Sequence, residues 1–123
     1  MTPETAKRLL DARNACLEIM TFVEGVSRDA FLADRKLQLS VQALLSVVGE
    51  ALSQARRLDP LLESRIPEIH SIIGMRHRII HGYGDVDYKL LWLASTTRVP
   101  ELAQVLTRLV NNEPPITPHD TDF

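Results

Sequence analysis

DRKLQLSVQALLSVVGEALSQARRL, residues 34 to 58, places apolar side chains at Leu37, Val41, Leu44, Val48, Ala51/Leu52 and Ala55. Steps of three and four residues put these positions on one face of an α-helix, while a half-buried strand would alternate every second residue. The stretch is therefore predicted to be one long amphipathic helix from about Asp34 to Leu58. Gly49 lies inside it, where it weakens the helix by about 1 kcal/mol relative to Ala and points to close packing.

The same period continues outward in both directions. Upstream, Thr2 reads as a helix cap with Pro3 at the first helical position and Glu4 in the first turn. The stripe Leu9, Ala12, Cys16, Ile19/Met20 and Val23 follows, and Gly25 ends the helix. Ser27 caps a further short turn of helix through Phe31 and Leu32. Downstream, Pro60 marks a connection, and Pro67 opens a helix carrying Ile69, Ile72, Ile73, Ile79 and Ile80. Gly82 and Gly84 stop it, and Asp85 or Asp87 caps a last segment through Leu90, Leu91, Ala94, Leu102, Val105, Leu106 and Leu109. Pro100 is expected to kink or split that segment near Arg98. The expected fold is all-α, an up-down bundle of four to five helices in one domain over residues 1–111. The Pro-rich residues 112–123 are expected to form a disordered tail.

Composition narrows the function classes. A chain of 123 residues with 45% hydrophobic and 24% charged residues is globular in character, and its single cysteine, Cys16, cannot form an internal disulfide. No apolar run approaches the roughly 20 residues that cross a bilayer. The start, MTPETAKRLL, lacks the apolar core of a signal peptide, so a cytoplasmic location with no membrane partner is the expectation. The net charge of −2 provides no global field for nucleic acid, so any such role has to rest on a local cluster.

One local cluster stands out: Gly74-Met75-Arg76-His77-Arg78-Ile79-Ile80-His81-Gly82-Tyr83-Gly84-Asp85-Val86-Asp87. Three of the four histidines fall between positions 70 and 81, and Arg56-Arg57, outside the cluster, is the only adjacent arginine pair. A purely structural reading places Arg76, His77, Arg78 and His81 at a helix C-terminus, where cations oppose the dipole. A metal reading pairs His77 with His81, four apart on one face, and takes Asp85 or Asp87 as a third ligand; it lacks a cysteine and the intervening glutamate of the zinc-protease pattern. A third reading pairs Arg76 with His81, about 140° apart in helical azimuth. An arginine that grips phosphate and a histidine that moves protons suit attack of an RNA 2′-hydroxyl on its neighbouring phosphate, a reaction that needs no metal or other cofactor.

Here the sequence is identified as resembling a known family. RHRIIHGYGDVDYKLLW (residues 76–92) resembles the signature of the HepT toxins of the HEPN superfamily, Arg-x-x-x-x-His-x-Tyr, with Arg76, His81 and Tyr83 at its defined positions. The resemblance runs upstream through Phe22–Gly25, Phe31–Lys36, Gly49-Glu50-Ala51 and Pro67-Glu68-Ile69, and downstream through Val86-Asp87 and Trp92. Gly84 stands where many relatives carry a bulky aromatic residue.

The resemblance implies a HEPN-like helical fold and a metal-independent endoribonuclease toxin. Its implied partners are the RNA substrate, a second copy of the chain, and a nucleotidyltransferase antitoxin of the MntA type. Carried over, Arg76 and His81 form the catalytic pair, and Tyr83 is the hydroxyl to which the antitoxin transfers AMP. His77 and Arg78 are candidates for RNA binding or support. Glu50 is assigned no role. The alternative is a non-catalytic HEPN module that binds a nucleotide or a nucleotidyltransferase partner. Tyr83 also has a plainer reading, as a packed loop aromatic.

Overall fold

The computed structural model describes residues 1–67, 69–79 and 85–111. Among these residues the chain forms seven α-helices: α1 (Pro3–Val23), α2 (Arg28–Leu32), α3 (Arg35–Leu58), α4 (Leu62–Arg65), α5 (Ile69–Ile79), α6 (Tyr88–Thr96) and α7 (Arg98–Val110). Five are substantial, and α2 and α4 are single turns, so the expected bundle is present with two short connectors added. The predicted stop at Gly82 and Gly84 and the predicted tail over 112–123 lie outside the described residues.

The helix starts follow from their caps. Thr2, Ser27, Asp34 and Asp87 each accept a hydrogen bond from the backbone N–H three residues on, relieving one of the unpaired donors of a first turn. At the end of α1, Gly25 adopts φ +70, the left-handed conformation that glycine takes without penalty. A Cβ there would meet nothing within 4 Å, so the requirement is conformational and not steric. Pro100 sits in the first turn of α7, where its missing N–H costs nothing; the chain breaks just before it, at Thr97, dividing α6 from α7.

Packing is organised around α1, which lies against α3 on one side and α7 on the other; α5 covers the far flank of α3, and α6 closes the bundle. Leu9, Ala12, Cys16, Ile19 and Val23 of the predicted α1 stripe are all buried. In α3 the centre of the buried face is shifted by one position: Leu45 is buried, whereas Leu37 and Leu44 lie at its edge. Phe31 is fully buried, and the amide of buried Gln38 donates to the carbonyls of Phe31 and Leu32, each at 3.0 Å, so the end of α2 is satisfied inside the core. Each large apolar side chain buried this way contributes about 1.5–3 kcal/mol. Leu62 of α4 and Ile66 after it are fully buried, which explains the short helix that periodicity missed: two apolar anchors define it, too few to show a period.

Candidate active site

α5 positions the cluster. Ile69, Ile72, Met75 and Ile79 form its buried face, leaving Arg76 half-buried at the flank beside α3 and His77 and Arg78 exposed. All three basic residues stand in the last turn described, as the dipole argument expected.

Arg76 is held across the α3–α5 seam. Its Nε donates to Ser46 Oγ at 3.2 Å. Its stem lies over Gly49, where a built Cβ would stand 3.5 Å from Arg76 Cδ and 3.7 Å from Arg76 Cβ. The expected close packing at Gly49 is therefore present, and what approaches is the arginine. Among the described residues nothing else bonds to this guanidinium, which leaves both Nη groups able to grip an anion through two parallel hydrogen bonds.

Arg78 turns the other way, its Nη2 reaching the Ser71 carbonyl at 3.4 Å. Glu50, given no role, is exposed and accepts from Gln54 Nε2 at 2.9 Å. His81 and Tyr83 lie outside the described residues. The chain ends that flank them are joined, because the Asp87 N–H donates to the Ile79 carbonyl at 2.8 Å. Past that bond, Arg35 Nη1 donates to the Tyr88 hydroxyl at 2.6 Å, and that hydroxyl donates to Gln42 Oε1 at 3.2 Å. The Arg35 guanidinium also lies 5.6 Å from the centre of the Tyr88 ring. Together these contacts fasten the start of α6 to α3.

Sequence reasoning missed Ser46 and the Arg35–Tyr88–Gln42 linkage. Ser46 precedes Gly49 by three residues and shares its face, which was the available signal. Nothing local marks Tyr88, whose partners lie 53 and 46 residues away. Among the described residues no three His, Cys, Asp or Glu side chains gather as a metal centre would need. Cys16 is no nucleophile: burial pushes its thiol up to about 12, so the thiolate is scarce at neutral pH.

A family model described as "Ribonuclease HepT-like" matches residues 12–109. A probable ribonuclease HepT of Thermococcus cleftensis is 31% identical over 94 residues, covering 76% of this chain and 84% of its own. A candidate RNase of Caldanaerobacter subterraneus subsp. tengcongensis is 28% identical over 98 residues, covering 80% and 87%. A candidate RNase of Methanocaldococcus jannaschii is 24% identical over 97 residues, covering 77% and 78%. No solved structure matches. Among the described residues no helix is long and apolar enough to cross a membrane.

Proposed function

The chain belongs to the HepT-like ribonuclease family, and from that premise we propose that it is an endoribonuclease of the HEPN type, the toxin of a toxin–antitoxin pair. The observation that carries this reading is Arg76, whose guanidinium is fixed by Ser46 and Gly49 and whose Nη groups have no partner among the described residues. The RNA 2′-oxygen attacks the adjacent phosphorus and gives its proton to a base. The bond from phosphorus to the 5′-oxygen breaks, and an acid protonates the departing oxygen. The products are a 2′,3′-cyclic phosphate and a 5′-hydroxyl. Arg76 balances the charge that grows on the phosphorane, and His81 is the proton-transfer group. No metal takes part.

One chain brings one such arginine and one such histidine, while the reaction needs both an acid and a base. A second copy related by a two-fold axis supplies the missing group. Leu39 and Val47, 47% and 46% exposed on the outer face of α3, offer apolar surface for that pairing. A nucleotidyltransferase antitoxin silences the site by transferring AMP to Tyr83, placing a phosphodiester and an adenosine where RNA would bind.

Expression of the wild-type chain without its partner is expected to arrest growth, and the purified protein to cleave RNA in EDTA, leaving cyclic phosphate ends. Arg76→Ala and His81→Ala are each expected to lower the rate by about 10²- to 10⁴-fold while remaining folded. Intact-mass measurement after co-expression with the antitoxin is expected to show adenylylation at Tyr83. Activity lost to EDTA, or kept in His81→Ala, overturns the mechanism. A wild-type chain that binds its partner but cleaves nothing points to the non-catalytic alternative.

A further inference from the structure

Arg56 and Arg57 stand in the last turn of α3, and Arg56 Nη1 lies 2.7 Å from His70 Nδ1 in the first turn of α5. A guanidinium can only donate, so Nδ1 is the acceptor and the ring proton sits on Nε2, 3.4 Å from Glu63 Oε1 of α4. Residues of two other helices thus face the two ring nitrogens of an imidazole whose side chain is 69% exposed. Such an exposed group is poorly placed to stabilise the fold. What it does is fix Arg56. Beside it, Arg57 Nη1 donates to Ser53 Oγ at 3.4 Å.

This group lies on the same seam as Arg76. The Gly49–Arg76 contact and the Arg56–His70 bond show that α3 and α5 run antiparallel, and they mark two points along the pair. Seven residues of α3 and six of α5 separate those points, which is about 10 Å at the helical rise. On the solvent side of the seam, helical phase brings Ser46, Ser53 and Arg57 from α3 opposite His70, Ile73 and His77 from α5. A chain of net charge −2 thus sets three arginines, Arg56, Arg57 and Arg76, along one strip, with His70 and His77 beside them. Of the described carboxylates near the strip, Glu50 accepts from Gln54, Asp59 accepts from the Leu61 N–H, and Glu63 faces His70 Nε2.

We infer that Arg56 and Arg57 form a second phosphate subsite, with His70 as the positioning residue for Arg56, which holds the RNA backbone a nucleotide or two from the phosphate at Arg76. The inference rests on the ribonuclease reading above. Among the described residues Arg56 Nε and Nη2 have no partner, which leaves them for the phosphate, and Arg57 adds a second fork. A separation of about 10 Å suits an extended single strand that tracks a basic groove. The subsite predicts that RNA reaching past the scissile phosphate is a better substrate than a dinucleotide, and that the gain appears in KM.

The test uses the full chain and two probes: a labelled single-stranded RNA of eight nucleotides for cleavage, and its 2′-O-methyl counterpart, which cannot be cleaved, for binding. Arg56→Gln/Arg57→Gln is expected to weaken binding about tenfold and to reduce the steepness of log Kd against log salt by about one. The same variant is expected to raise KM by a similar factor and to lose the advantage of eight nucleotides over two. His70→Ala is expected to weaken binding less and leave the salt slope in place, because it removes orientation and not charge. Arg28→Gln, on α2 at the other end of α3, controls for charge alone.

If the wild type cleaves RNA and the double variant matches it in KM, binding and salt slope, the subsite is wrong and the ribonuclease reading stands. If the wild type cleaves nothing, yet its binding depends on Arg56 and Arg57, the subsite stands and the catalytic reading falls. A wild type that neither binds nor cleaves removes both.

Discussion

α3 has two flanks made of different materials. By helical phase Leu44, Val48, Ala51 and Ala55 lie on the flank away from α5, next to α1, and the last three are buried. The flank toward α5 carries Gly49 and Arg56 beside the buried Leu45 and Leu52, and directed polar contacts cross its outer edge: Arg76 to Ser46 and Arg56 to His70. The first seam is built from area removed from water, and the second adds to such burial a row of donors and acceptors that have to meet. Non-directional burial sets stability, while directed hydrogen bonds set where a charged group stands. One helix can therefore serve the core and the site together.

Substitutions can break that division. Leu52→Ala, at a fully buried position, is expected to lower stability by about 2–5 kcal/mol, read by urea titration, with the activity of the remaining folded fraction retained. Arg76→Ala is expected to cost about 1 kcal/mol or less on the same measurement, since little apolar area is lost. Comparable stability losses would mean that the polar seam is also structural. Gly49→Leu adds branches where the arginine stem lies; a misplacement of about 1 Å there is expected to lower the cleavage rate about 10²-fold. A rate equal to wild type would separate Gly49 from the site.

Smaller effects sharpen the contrast. Cys16 on the apolar side keeps its proton up to about pH 12 when folded and loses it above 9.0 when unfolded. Its folded pKa is raised, so its contribution is complete below pH 9.0 and declines above it, by about 1.4 kcal/mol per pH unit. Cys16→Ala is expected to flatten the alkaline loss of stability by that slope. Gly49→Ala places a Cβ at ordinary contact distance from Arg76 and is expected to raise stability by up to about 1 kcal/mol through helix propensity. A thermal melt checks the sign.

Much of the fold was legible because its signals are local. The caps at Thr2, Ser27, Asp34 and Asp87, the turn at Gly25 and the break before Pro100 each depend on a few neighbouring residues. The centre of the α3 face was off by one step, at Leu45, because periodicity locates a stripe and not which neighbours flank it. At the site the sequence marked Arg76 and Gly49 separately and could not join them. Their meeting, and that of Arg76 with Ser46 thirty residues earlier, is a product of the α3–α5 crossing. Arg56 and His70 were likewise visible only as a pair of arginines and a histidine.

The glycine at position 49 has a consequence for how tightly and how quickly the site can work. A free arginine carries about 2 kcal/mol of rotamer entropy, and immobilising such a side chain on binding costs roughly 0.5–1.5 kcal/mol. Arg76 has its stem laid along bare backbone and its Nε tied to Ser46, so most of that freedom is already gone when the chain has folded. An arriving anion meets a guanidinium that does not have to be stilled first, and the ordering cost appears in the folding equilibrium instead of the dissociation constant.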